Sequence, residues 1–239
     1  MSCLSYFRRK FYNFTHPVLG RILMLHRVVG RRSDEPKQRE LEVTPPFLEQ
    51  TIEDYRQEGY QFVSIDEACN IIKCGKRQKQ PFVCLTFDDG YQDNYTTALP
   101  LLKRLNVPFA VYVTTGFIDN KLPMWWYPDQ QLGLTRNELF ALDQEPLCTI
   151  CAHTLSHPRL DTLTAGEQQK EIVESKVVLE QWLGHPVRHF SYPHGAYNDS
   201  TLQIVREAGF ASCLRAWGGN VRRGVSMLEL PRIVLKEDE

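Results

Sequence analysis

Short apolar runs alternate with helix-signature segments along almost the whole sequence, and that alternation constrains the fold more than any other feature. The runs are RILMLH (21–26), QFVSI (61–65), FVCLTF (82–87), FAVYVTT (109–115), CTICAH (148–153), HFSYP (189–193), FASCL (210–214) and ELPRIVL (229–235). Each is too short for a buried helix and rich enough in branched and aromatic residues for a strand. Between them lie helical segments with their own start and stop signals. Thr44, followed by Pro45 and Pro46, opens a helix through Tyr55, and Gly59 ends it. Residues 66–73 form a short helix, 94–105 carry Leu99, Leu102 and Leu105 at helical spacing, and 136–142 form another. The longest helix runs from Thr164, with Glu167 completing a capping box, to a stop at Gly184. Asp199 or Ser200 caps a final helix ending at Ala208 and Gly209. Residues 30–45 and 117–135 read as loops. Strands separated by helices pair in parallel and are covered by those helices. The expected fold is therefore α/β, a barrel or a doubly wound sheet. Polar residues recur at the strand C-termini, which favours a distorted (β/α) barrel of about seven parallel strands.

Composition narrows the function. The chain has 239 residues, 42% hydrophobic and 24% charged, enough for one large core. A net charge of -1 argues against a dedicated nucleic-acid binder. No apolar run approaches the roughly 20 residues that span a bilayer. The seven cysteines are odd in number and scattered, which suits a reducing compartment better than a disulfide framework. Residues 1–20 show no secretory h-region, so a cytoplasmic location is expected. That segment mixes Arg8, Arg9 and Lys10 with Phe7, Phe11, Tyr12 and Phe14. It reads as a basic surface segment packed on the domain or as a weak membrane-surface foothold. Residues 21–239 read as one domain.

Three clusters carry the chemistry. In TFDDG (86–90) two adjacent carboxylates, Asp88 and Asp89, end a buried strand. Their mutual repulsion is relieved if one ligates a metal and the other acts as a base; the alternative is a solvated Asp-Asp-Gly turn. In AHTLSHP (152–158), His153 and His157 are four residues apart, so two imidazoles can meet one divalent ion; the alternative is two surface histidines. With one Asp oxygen they leave coordination positions open to water and substrate, as hydrolysis requires. In SYPHGAYND (191–199), Pro193 and Gly195 shape a tight loop able to present backbone N–H groups to an oxyanion; taken alone, an ordinary Pro-Gly turn is the alternative.

Together and in this order, these three pieces resemble the motifs of the polysaccharide deacetylase family, the NodB-homology domain of carbohydrate esterase family four. The resemblance covers about residues 20 to 235. It implies a NodB-like distorted barrel and metal-dependent removal of an acetyl group from an N-acetylated sugar. By position, it implies that Asp88 is the catalytic base and that Asp89, His153 and His157 hold one divalent ion, usually zinc, although such ligands suit several first-row metals. It further implies that Tyr192, Pro193, His194 and Gly195 form the oxyanion and substrate loop, with the N–H of His194 holding the oxyanion. Two departures stand out. Ser191 occupies the position of the arginine that usually tethers the base, and Arg232 in LPRI is the candidate replacement, with Arg215 second. No histidine follows His194 to act as the late general acid. LMLHRV (23–28) resembles the early motif of the exopolysaccharide poly-N-acetylglucosamine deacetylases, which implies His26 as the acid; the alternative is a core-edge histidine held by one hydrogen bond. Trp125 and Trp126 are candidates for a sugar platform and Trp217 for a wall of the acetyl pocket, each against a plain packing role. Cys148 and Cys151 read as buried small residues, and His16, His185 and His189 show no identifiable partner. Competing functions are a deformylase or other amide hydrolase acting on a lipid- or nucleotide-linked sugar, and a non-catalytic glycan-binding relative.

Overall fold

The computed structural model of the protein describes residues 16–76, 79–128 and 130–237. The aromatic and basic residues expected to form a surface or membrane-facing segment at 1–15 lie outside the described residues. Among the described residues no helix is long and apolar enough to cross a membrane.

Eleven strands are described: β1 (Val18–Leu25), β2 (Arg27–Val28), β3 (Glu42–Val43), β4 (Gln61–Phe62), β5 (Phe82–Phe87), β6 (Phe109–Val113), β7 (Cys148–Ala152), β8 (His189–Ser191), β9 (Ser212–Leu214), β10 (Val221–Arg222) and β11 (Ile233–Val234). Strands β1, β5, β6, β7, β8 and β9 pair in that order, all in parallel. The ring is carried back toward β1 by the segment after β9. Leu230 donates its N–H to Cys213 and accepts from Arg215, both at 2.9 Å. β11 then pairs in parallel with β1 at Leu23 and Met24. These seven strands form the distorted barrel. β4 adds to the start of β5, and β10 runs antiparallel along the start of β1.

Side-chain alternation divides the core. Val83, Leu85, Phe87, Val111, Val113 and Phe190 point outward into the layer beneath the helices. Ile22, Phe82, Cys84, Ala110, Tyr112, Cys151 and Leu214 point inward. Helix Ile65–Cys74 packs Ile65, Ala68, Cys69 and Ile72 into that same inward cluster. Its Asp66 reaches His189, the first residue of β8, so this helix closes the end of the barrel where the strands begin. The opposite end stays open for the site.

Several boundaries differ from the sequence expectation for identifiable reasons. QFVSI yields only Gln61–Phe62 as strand, because Ser64 and Glu67 form a capping box that starts the next helix at Ile65. The loop expected over 30–45 holds a short helix, Pro36–Arg39, capped by Glu35, and β3, which pairs with β2. The run 189–193 stops as a strand at Ser191, since Pro193 has no N–H for a ladder. Asn198, not Asp199 or Ser200, caps the last long helix by accepting from Thr201 N at 3.1 Å. The helix from Thr164 to Gly184 is present but contains a π-helical turn at Lys170–Glu174, and the helix expected at 94–105 opens with one at Asn94–Ala98.

Candidate active site

Inward-facing parity carries β5 straight into the site. Phe82, Cys84 and Thr86 face the barrel interior, and Asp88 continues the series. Its N–H extends the ladder to Leu25 O at 3.0 Å. The next residue must turn back, and Asp89 does so with φ +74° before Gly90 at +83°. A left-handed aspartate is tolerated only where its surroundings hold it. His153 follows β7 in the same way, its N–H donating to Val113 O at 2.9 Å. The loop to His157 is fastened by Glu171 from the helical layer. One Glu171 oxygen accepts the N–H groups of Leu155 and Ser156, and the other accepts the Ser156 hydroxyl. His157 N–H donates to Thr154 Oγ1 at 3.0 Å. Glu171 went unnoticed in the sequence because its partners lie fifteen and sixteen residues away on a loop.

Three ligand atoms converge. Asp89 Oδ1 lies 3.5 Å from His153 Nε2 and 3.3 Å from His157 Nε2. Asp89 is 2% exposed, and its Oδ1 has no hydrogen-bond partner. Asp89, His153 and His157 form the one cluster among the described residues that could hold a metal ion. Burial pushes the imidazoles down, His153 to about 4 and His157 to about 3, so both are neutral near pH 7 with lone pairs available. Burial pushes the Asp89 carboxyl up. An unpartnered buried carboxylate oxygen beside two neutral imidazole nitrogens fits a divalent cation, which would supply the missing positive charge.

Asp88 has a different partner. Arg232, 1% exposed, forks onto it with Nη1 to Oδ1 at 2.7 Å and Nη2 to Oδ2 at 2.6 Å. Nη2 also donates to Ser191 Oγ at 2.8 Å, Nη1 to Thr86 Oγ1 at 3.2 Å, and Nε to Arg215 O at 2.7 Å. The serine at the position where the family tether was expected thus helps hold the arginine that grips Asp88, while Arg215 contributes only its carbonyl. Burial alone raises the Asp88 carboxyl. The Arg232 guanidinium outweighs it and holds the group well below the usual carboxylate range. Asp88 Oδ2 lies 3.9 Å from His153 Nε2, next to the ligand cluster and outside it.

A cavity of about 410 Å³ opens over these groups. His26, Tyr192, His194, Trp125 and Trp126 line it with the two aspartates and the paired histidines. Lys37 and Leu41, from the segment expected to be plain loop, line it too. His26 is fixed from behind, its carbonyl accepting from Asn94 Nδ2 at 2.9 Å. Within the loop Pro193–Gly195, Gly195 N donates to Tyr192 O and Ala196 N to Pro193 O, and His194 sits at φ +57°. Trp125 is 68% exposed at the mouth, whereas Trp126 turns inward against His157. Trp217 does not take the place expected of it. Its neighbour Ala216 lines the cavity, and Trp217 lies outside that lining, 62% exposed beside Gly195.

The other histidines acquire partners. His185 pairs with Asp143 at 2.8 Å. His189 contacts Ser212 Oγ at 2.8 Å and Asp66 at 3.3 Å. In that Ser-His-Asp arrangement Ser212 and His189 are buried, while Asp66 is part-exposed at the strand-start end of the barrel, opposite the site. The backbone carbonyl of His16 accepts from Arg222. Cys151 is buried and Cys148 partly so, and both are free.

Deacetylases of known structure share this architecture. Residues 75–213 match the family model described as polysaccharide deacetylase, and the chain belongs to that family. It is 28% identical over 212 residues to the putative polysaccharide deacetylase YxkH of Bacillus subtilis (strain 168), covering 89% of this chain and 70% of that one. It is 36% identical over 220 residues to the poly-beta-1,6-N-acetyl-D-glucosamine N-deacetylase of Escherichia coli (strain K12), covering 77% of this chain but 32% of that protein. The structure of the Streptococcus pyogenes deacetylase PplD in complex with acetate superposes with a TM-score of 0.80 at 28% identity, covering 92% and 93% of the two chains. IcaB from Ammonifex degensii shares the fold, with a TM-score of 0.78 at 23% identity and 92% of each chain covered.

Proposed function

We propose that residues 21–239 act as one catalytic unit, a metal-dependent hydrolase that removes the N-acetyl group from an N-acetylated sugar of a polysaccharide or glycolipid precursor. The observation that carries the reading is the division of labour between neighbouring carboxylates. Asp88 is neutralised by an arginine fork, whereas Asp89 is left without a partner between two imidazoles. Asp89, His153 and His157 are the residues that hold the ion, with zinc suited to this nitrogen and oxygen set. When bound, such an ion polarises the amide carbonyl and makes water acidic enough to serve as nucleophile near neutral pH. Asp88, kept ionised by Arg232, takes the proton of the attacking water. In the loop of Tyr192, Pro193, His194 and Gly195, the N–H groups of Tyr192 and Gly195 are used within the fold, and the backbone N–H of His194 faces the developing negative charge on the amide oxygen. His26, across the cavity at the end of β1, delivers a proton to the departing sugar amine. Trp125 offers an exposed indole face for a pyranose ring at the mouth.

The test is acetate release from N-acetylglucosamine oligomers together with metal content. Wild-type protein should release acetate and bind one divalent ion, and Asp89→Asn should lose both. Full activity and full metal content in Asp89→Asn would overturn the assignment, as would preferential release of formate from formylated analogues. The free cysteines inside the barrel favour a reducing, cytoplasmic location. Recovery of the native protein from a periplasmic or secreted fraction would refute that part.

A further inference from the structure

One cation on the wall of the active-site cavity has no counter-charge. Lys37 lines that cavity with His26, Leu41 and Trp125. Its side chain is exposed, and its ammonium has no ion pair or hydrogen bond among the described residues. The carboxylates nearest to it along the chain are all engaged elsewhere. Asp34 pairs with Arg31 at 3.4 Å and Glu40 with Lys236 at 2.9 Å. Glu35 caps the short helix Pro36–Arg39 by accepting from Gln38 N at 2.8 Å. Glu42 accepts from Arg27 at 3.1 Å and from Tyr127 Oη at 2.9 Å.

The backbone beneath Lys37 is fastened to the site. Gln38 Nε2 donates to Trp126 O at 3.2 Å, and Gln38 O accepts from Leu41 N at 2.9 Å. Arg27 N then donates to Leu41 O at 3.0 Å, directly after His26, and β3 pairs with β2 just beyond. Lys37 is thereby carried on the wall that holds His26. The other charges of the lining answer one another. Arg232 forks onto Asp88, and Asp89 faces the two neutral imidazoles where a divalent cation fits. Lys37 is thus the one cation of the lining with no acid facing it among the described residues.

We propose that Lys37 determines specificity, selecting an N-acetylated saccharide that bears an oxyanion, a phosphate or a carboxylate, on the acetylated sugar or the next residue. This rests on the reading of the cavity as a deacetylase site and narrows its substrate class to anionic glycans. An ammonium is a compact point charge with three donors, so it takes either oxyanion without demanding a planar fork. His26 on the same wall serves the departing amine. The oxyanion therefore belongs to the glycan that leaves with that amine, not to the acyl group.

The experiment compares kcat/KM for acetate release by the zinc-loaded full-length protein on probes of similar size. The neutral probe is diacetylchitobiose. The anionic probes are its 1-phosphate and the disaccharide of glucuronic acid with N-acetylglucosamine. Wild type should favour an anionic probe over the neutral one about 5-fold, the upper end of what an exposed ion pair contributes. Which anionic probe it favours distinguishes a phosphate from a carboxylate. Lys37→Arg should keep the preference, Lys37→Gln should bring the ratio to about one, and Lys37→Glu should invert it. The wild-type ratio should also shrink in about 0.5 M salt, where an exposed pair is screened. Melting temperatures confirm that these surface variants fold. Equal kcat/KM on all three probes in wild type would overturn the inference, as would a preference that survives Lys37→Gln. Absence of acetate from every probe would instead sink the deacetylase reading, and this inference with it.

Discussion

Replacing Arg232 with methionine isolates the arginine fork, because methionine keeps most of the side-chain volume and removes the charge. Arg232 donates five hydrogen bonds, two to Asp88 and one each to Ser191, Thr86 and the Arg215 carbonyl. The ion pair is buried at both ends, with side-chain exposures of 0% and 4%. Removing one partner of such a pair strands the other charge and costs about 3–5 kcal/mol. For a chain of this length that lowers the melting temperature by roughly 10 °C. The pH dependence follows from Asp88. In the native protein its carboxyl sits below the unfolded value, so it stabilises the fold above about pH 4 and that contribution fades in acid. Without Arg232 the chief force opposing burial is gone, and the folded value is expected to rise above the unfolded one. The variant's Asp88 then favours the fold only while protonated, and that contribution is lost as pH rises. The gap between wild type and variant must therefore widen from pH 5 to pH 8. Urea denaturation of the metal-free proteins at both pH values measures it. A loss under about 1 kcal/mol, or one equal at both pH values, would refute the reasoning, since an exposed or unstrained pair behaves that way.

Three further outcomes follow from the same geometry. His26→Ala should keep its metal and lose about 10²- to 10⁴-fold in kcat, the range for loss of a general acid; metal content and initial rates check this. Gly195→Ala should cost stability and turnover together, because φ is +61° and the added Cβ would meet Ala216 Cβ at 2.9 Å; a left-handed non-glycine costs of order 1–3 kcal/mol, readable by thermal denaturation. Metal-free protein should lose stability as pH falls from about 6.5, the unfolded imidazole value. The loss continues toward about 4 and about 3, where burial has pushed His153 and His157. The unfolded chain takes up protons there first, and calorimetry across that range should show a falling melting temperature in wild type and a shallower fall in His157→Gln.

Most of what places the site was legible in the sequence because it depends on local order. Asp88 and Asp89 end an apolar run, His153 follows another, and a strand's final residues are readable from its pattern. Arg232 was legible as a candidate because Ser191 left a gap in the third motif that some cation had to fill. What escaped depends on distance across the fold. Lys37 and Leu41 reach the cavity only because a four-residue helix is pinned to Trp126 and Tyr127 through Gln38. Glu171 lies on a helix whose sequence announces nothing but a solvated face. Tyr91 and Trp126 are 35 residues apart, and neither spacing nor periodicity predicts a hydrogen bond between them. Trp217 was misplaced for a similar reason. Gly218 and Gly219, both at positive φ, set the direction of its loop, and one glycine pair does not tell the reader which way a chain turns.

The strained residues tie barrel register to chemistry. A parallel strand delivers its inward side chains at two-residue intervals along one line, which brings Asp88, His153 and Ser191 to one end of the barrel. A metal needs donors at angles that no set of straight strands offers. The chain meets this by turning just past the strand ends, and non-glycine positive φ values occur at Asp89, Thr154, His157 and His194. Each such residue costs energy that an ordinary turn would avoid by using glycine. Asp89, His157 and His194 cannot be glycine if their side chains or loop are to face the cavity. The Glu171 clasp and the Thr154 hydroxyl on His157 N–H are contacts that hold the loop carrying Thr154 and His157. Of the seven non-glycine residues with positive φ among the described residues, these four gather at the strand ends around the cavity, whereas Asn106, Asp119 and Asn120 lie elsewhere; that clustering is the pattern of a site built for rigid geometry rather than of a surface turn.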